Sequence, residues 1–298
     1  MSFSLPLRLP LPRPSTLLIL LGTLPLTAPT AYLLYLRLTT APHVTSRTGR
    51  YRHRKSTKTS SSSTSSSTES DAEPPSPTPP LSIPSLLPAS PSHTIMYERV
   101  TSHPLPLSSL KYHDGQEFSN LLTAYLRTTM KAFARTPQAR MIRKALEDGR
   151  NYDGGGVTVS GKGDVTEVAD SFEDRCIDEM RFGIGERVNG VYVVGYRGVG
   201  PAGGEEVGGG ERVELRLQVP EGYKGPGAAV EGIIVAGVEG VEGDVGSEGE
   251  RRVVMVNETW LWRAEGEKKV LLEGVIGKWL HGLLAGWLVV KGMGAVMV

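Results

Sequence analysis

An α+β body carried behind an N-terminal transmembrane helix and a disordered linker is the architecture this sequence predicts. In that body helices come first, then an antiparallel sheet of about four to five strands, then an amphipathic C-terminal helix. Three observations predict it. No Asp or Glu occurs before Glu69, while nine Lys or Arg do, and an apolar run lies among them. Beyond Arg181, Val, Ile, Tyr and Trp concentrate in stretches separated by Gly-rich gaps. On both sides of that region apolar residues recur at helical spacing.

Residues 1–15 hold Pro6, Pro10, Pro12 and Pro14, a density that forbids the amphipathic helix of a mitochondrial presequence. The run from Thr16 to Leu36 is uncharged over 21 residues, close to the roughly 20 needed to span a hydrocarbon core. Pro25 and Pro29 predict a kink. Tyr32 and Tyr35, followed by Arg37, fit the aromatic and basic boundary of a membrane segment. Residues 16–36 therefore read as a single-pass anchor contacting membrane lipid. Arg8 and Arg13 precede it and seven basic residues follow, which places the body in the cytosol by charge bias. The Arg- and Ser-rich, acid-free start leaves a mitochondrial membrane as the alternative.

Residues 37–94 read as a linker: basic at Arg50–Lys55, then Ser/Thr-rich from Ser56 to Ser70, then Pro-rich from Pro74 to Pro91. Such compositions bury too little apolar area to offset the entropy of ordering. The folded domain is expected over residues 95–298. Asp114 and Glu117 have capping-box spacing before Phe118, Leu121, Leu122, Tyr125, Met130 and Phe133, which recur as one helical face. Thr136-Pro137 predicts a second start, with Pro137 at the first helical position. Strands are expected at Val188–Val199, Arg212–Val219, Ala228–Val238 and Arg251–Arg263. Arg212–Val219 alternates cleanly, so one of its faces should meet water. From about Leu271 to Val290, Val275, Trp279, Leu280, Leu283, Leu284, Trp287 and Leu288 form one broad apolar stripe. Glu273, Lys278, His281 and Lys291 interrupt it, so a helix lying against the sheet is expected rather than a second span. Gly282 and Gly286 give it a small-xxx-small pair that could pack another membrane helix.

Charge and motifs exclude more than they assign. Beyond the basic N-terminal segment the chain carries a net charge of −8, which argues against nucleic acid as a partner. Cys176 is the one cysteine, so no intramolecular disulfide forms. Its reading as a small apolar residue outweighs that of a nucleophile, since nothing places a histidine beside it. The six histidines lack metal-ligand spacing, and His113-Asp114 is the only adjacent imidazole and carboxylate. No glycine-rich stretch ends in the Lys-Ser/Thr of a phosphate loop, and no Gly-x-Ser-x-Gly elbow occurs. No cofactor or metal is expected. Asn257-Glu258-Thr259 matches a glycosylation acceptor inside a strand-like run.

The best site candidate is Glu258, a carboxylate within the most apolar strand. With Val256 and Trp260 on its face it would orient a ligand in an apolar pocket, and Arg263 would meet an acidic group. Trp279 and Trp287 would close the pocket from the C-terminal helix. A curved sheet closed by a long C-terminal helix resembles the helix-grip lipid-binding domains, though with fewer strands and with helices at the start. The resemblance, which no motif carries, implies an apolar or lipid ligand. Three expectations stand side by side: a membrane-anchored module binding such a ligand, an enzyme on acyl or lipid substrates using Glu258 or Cys176, and an assembly partner docking on a membrane protein through Gly282 and Gly286.

Overall fold

A computed structural model describes residues 30–51, 78–85, 87, 90, 92–111, 118–152, 168–200, 210–227, 229–241 and 251–298. Most of the expected anchor, the Ser/Thr tract and the Asp114–Glu117 capping box lie outside them.

The body is α+β. An antiparallel sheet is built from β1 (Val44–Arg50), β2 (His93–Ser102), β3 (Leu105–Pro106), β4 (Arg187–Val188), β5 (Tyr192–Val199), β6 (Glu211–Leu217), β7 (Glu231–Val241) and β8 (Arg252–Ala264). Its order is β1-β2-β8-β7-β6-β5-β4, with β3 pairing beside β8. Strands β4 to β8 form a meander whose last member returns to β2. Among the described residues the helices are α1 over residues 30–40, α2 (Phe118–Ala134), α3 (Pro137–Glu147), α4 (Asp174–Glu179) and α5 (Val275–Val296), with a further helical turn over 168–170. Helices α2 and α5 pack side by side over one face of the sheet.

Local chemistry explains the element boundaries. Thr136 caps α3 by accepting the Ala139 amide, and Pro137 occupies the first turn, where its missing N–H costs nothing. On α2, Leu121, Leu122, Tyr125, Leu126, Met130 and Phe133 are buried, as one stripe of a 3.6-residue repeat. Between β4 and β5 the chain reverses at Asn189 and Gly190, both at positive φ (46° and 72°). Asparagine and glycine adopt that geometry most easily, so this dipeptide splits the expected strand at Val188–Val199 into a hairpin.

The main core lies between the sheet and α2 and α5. It contains Val100, Val213, Leu215, Val238, Val253 and Met255 from the sheet, and Tyr125, Leu126, Val289 and Met293 from the helices. The two helices approach closely where Gly292 faces Tyr125. A Cβ there would meet the Tyr125 ring and come within 2.6 Å of Thr129 Oγ1. A second core forms on the opposite, outer face. Ile83 and Leu87 cover Ile95, Ile233, Val235, Trp260 and Trp262 there, with Tyr51 and Tyr97 alongside.

Three expectations change. The sheet has eight strands instead of four or five. Residues 44–50, assigned by composition to the linker, form edge strand β1, registered from Val44 opposite Ser102 to Arg50 opposite Met96. An edge strand with one half-buried face needs few apolar side chains, so Val-Thr-Ser-Arg-Thr-Gly-Arg carries little periodic signal. The second face of β6 meets water only toward its end, at Arg216. Arg212 and Glu214 are buried on that face, because the chain at Leu81 and Ser82 crosses over them and donates both amides to the Glu214 carboxylate at 2.8 and 2.6 Å.

Candidate functional site

Alternation along β8 sends Val254, Val256, Glu258, Trp260 and Trp262 to the outer face and Val253, Met255, Asn257, Thr259 and Leu261 toward the helices. Glu258 is buried beneath the outer face. Register places Arg99 of β2 opposite it and Val235 of β7 on its other side. Arg99 donates to Glu258 with one guanidinium nitrogen and to Glu239 at 2.5 Å with the other. The second Glu258 oxygen accepts the Trp260 indole N–H at 2.9 Å. Trp260 is fully enclosed, with Tyr51 and Tyr97 ring centroids 5.6 and 5.4 Å away.

Burial pushes the Glu258 carboxyl up from its ordinary value of 4.5, although Arg99 and the indole hydrogen bond pull the other way. Its raised folded pKa means that ionised Glu258 opposes folding at neutral pH. That opposition is relieved as pH falls through the raised value toward 4.5. Glu258→Gln keeps an acceptor for Trp260 and removes this titration. Its stability relative to wild type is therefore expected to be higher at neutral pH than near 4.5, as read by urea melts at both. A constant difference across that range would assign the titration elsewhere.

The other expected site residues do not join this cluster. Arg263 projects toward the helix side, where it donates to both Glu273 oxygens at 2.7 and 3.0 Å. Those hydrogen bonds, with that from the Val270 amide at 2.9 Å, hold the Glu273 carboxyl below its ordinary value. The pair ties the end of β8 to the turn that leads into α5. Trp287 is half-buried against the main core, with the Lys291 ammonium 5.7 Å from its ring centroid. Trp279, by contrast, is 44% exposed. Glu258 and Trp260 thus lie on one side of the sheet, and Arg263, Trp279 and Trp287 on the other. Asn257 is buried in mid-strand, out of reach of a glycosylating enzyme in this fold. Cys176 sits half-buried in α4 against the main core.

Sequence reasoning missed a polar cluster beneath α5. Glu98 of β2 is buried on the helix face, where His281 Nδ1 bonds one carboxylate oxygen. Ser46 and Thr48 of β1 each donate to the other oxygen at 3.3 Å. Gly282 makes room for this arrangement, since a Cβ there would lie 2.9 Å from that oxygen. Gly286 likewise faces Val44 and Thr40, at 3.2 and 3.5 Å from its would-be Cβ. Both members of the small-residue pair are therefore occupied by this chain's own β1, β2 and α1. With His281 and Glu98 separated by 183 residues, no local spacing could announce their contact.

The first two turns of α5 are the opposite case. Val275 is 85% and Ile276 73% exposed, and Leu280 and the preceding Leu271 are exposed too. Farther along, Leu283, Leu288, Val289, Met293 and Val296 are buried. The helix is long and apolar enough to cross a membrane by length and composition, yet 44% of its most apolar window is buried against the body. Among the described residues no group of three or more His, Cys, Asp or Glu could hold a metal ion. No family model, no curated protein and no solved structure matches the chain.

Proposed function

We propose that this protein is a membrane-tethered module that binds an apolar or lipid ligand beneath its C-terminal helix, with its body on the cytosolic side. The observation that carries the reading is the order of elements: three strands, a helical layer, a meander whose last strand returns to β2, and a long closing helix. That order resembles helix-grip lipid-binding domains, a likeness of architecture alone. The close meeting of Gly292 with Tyr125 marks the tight end of the helix layer. The exposed apolar turns at Val275–Leu280 mark the end at which an acyl chain would enter. Ligand contacts are assigned to Trp279 and Trp287, while Glu258, Trp260 and Arg263 are given structural roles. Tethering is assigned to residues 16–36, on the composition described above.

A second reading, an enzyme on acyl or lipid substrates, is favoured by one observation. A buried carboxylate bonded to Nδ1 of a half-buried histidine fixes that ring and leaves Nε2 as the proton acceptor. One experiment addresses both readings. Full-length protein, delipidated in detergent and offered fatty acid, sterol and a long-chain ester, is examined by native mass spectrometry. Retained intact ligand is the expected result, and ester cleavage that disappears in His281→Gln would favour the enzyme. If the protein neither retains a ligand nor cleaves the ester, both readings fall.

A further inference from the structure

We propose that the first two turns of α5, with the turn before them, form a second membrane contact that lies in the interface of an anionic bilayer. This rests on the tethering part of the proposed function and is independent of any bound ligand.

Five large apolar side chains, Leu271, Val275, Ile276, Trp279 and Leu280, are exposed within ten residues of chain. A spacing of four residues puts Val275 beside Trp279 and Ile276 beside Leu280 on the helix surface. Apolar area gathered in this way marks an interaction site, whereas scattered exposed residues do not. Their chemistry fits a bilayer interface. Trp279 is an amphipathic ring at the edge of the patch, and rings of that kind concentrate at headgroup level. Lys268, Lys269 and Lys278 flank the patch, against Glu265 and Glu267, while Glu273 is neutralised by Arg263. The long lysine stems can lie along apolar surface with their ammonium groups among lipid phosphates. The face cannot be a simple extension of the core, because the same helix buries its apolar residues only from Leu283 onward. Leu272, on the inward side of the turn, is fully buried with Met96 and Leu261, so the overhanging turns are anchored firmly. A chain already tethered presents this patch at high local concentration, so modest intrinsic affinity suffices.

The test uses the full chain reconstituted into vesicles of phosphatidylcholine and phosphatidylglycerol with brominated acyl chains, which quench tryptophan on contact. Wild-type fluorescence should be quenched, and Trp279→Phe should remove most of the quenched component. Trp260→Phe should leave the quenched component in place, since that ring is enclosed under the outer face. Val275→Ser with Ile276→Ser should reduce quenching of Trp279 without altering the circular dichroism spectrum. Replacing phosphatidylglycerol by phosphatidylcholine should weaken it. Flotation of the same vesicles reports tethering separately. Floating protein whose Trp279 is unquenched overturns the second contact and leaves the anchor standing. Protein that neither floats nor is quenched overturns both.

Discussion

Glu214→Ala lowers the unfolding free energy by about 3–5 kcal/mol, the range for removing one partner of a buried ion pair. Glu214 has no exposed surface, and Arg212 lies 2.8 Å away with little more exposure. The arginine cannot shed its charge, so alanine leaves a buried guanidinium facing the Tyr196 ring, 5.6 Å from its centre. The same substitution strips the acceptor from the Leu81 and Ser82 amides. Those two hydrogen bonds pin the segment that lays Ile83 and Leu87 on the outer face. The loss should therefore appear twice: as a lower urea midpoint, and as faster amide exchange and proteolysis around residues 80–87. Arg212→Met in the same background should recover part of the loss by removing the orphaned charge. A midpoint unchanged by Glu214→Ala would show that the pair and its amide donors contribute nothing net.

Which parts of this structure were legible in the sequence follows from how local their causes are. Thr136-Pro137 and the apolar face of α2 are written within a few residues, and the fold uses both as expected. Strands β6, β7 and β8 lie within about three residues of the stretches rich in Val, Ile and Trp. Strand β2 was hidden because both of its faces are covered. Ile95, Met96 and Tyr97 run together without alternation, and Glu98 breaks the apolar pattern to meet His281. Strand β1 was hidden for the opposite reason, being polar throughout apart from Val44. The burial of Arg212 and Glu214 depends on a segment some 130 residues upstream, whose proline-rich composition gave no sign of docking. Glu258 was legible as an unusual carboxylate, but its partner Arg99 was not, since only strand pairing brings them together.

The two faces divide the labour. On the outer face, the buried Glu258 carboxylate is matched by a partly exposed Arg99, which also reaches Glu239. On the helix face, Glu98 is bonded by His281 of α5, a helix that becomes uncovered toward its start. This apolar helix is buried from Leu283 onward and exposed at Val275, Ile276, Trp279 and Leu280, and that is why the ligand and bilayer proposals both fall on its first turns. The Glu258 cluster and the exposed start of α5 consequently lie on opposite sides of the sheet.

Trp260→Ala lowers stability by about 3–5 kcal/mol, as expected for a large aromatic removed from a packed core. The ring is fully enclosed between Tyr51 of the chain just beyond β1, Tyr97 of β2 and Ile233 of β7, so little can collapse into the space it leaves. The substitution also removes the indole donor from Glu258, which already bears the cost of burial. Trp260→Phe separates the two effects. Phenylalanine fills most of the volume but leaves one Glu258 oxygen without its donor, a loss of about 1–3 kcal/mol. Urea melts of the two variants should therefore fall in sequence, with alanine the lower. Ligand retention in the folded fraction should be the same for Trp260→Phe as for wild type, because this ring faces away from α5. Loss of ligand in Trp260→Phe with its midpoint unchanged would reverse that assignment and return the outer face to the role of binding site.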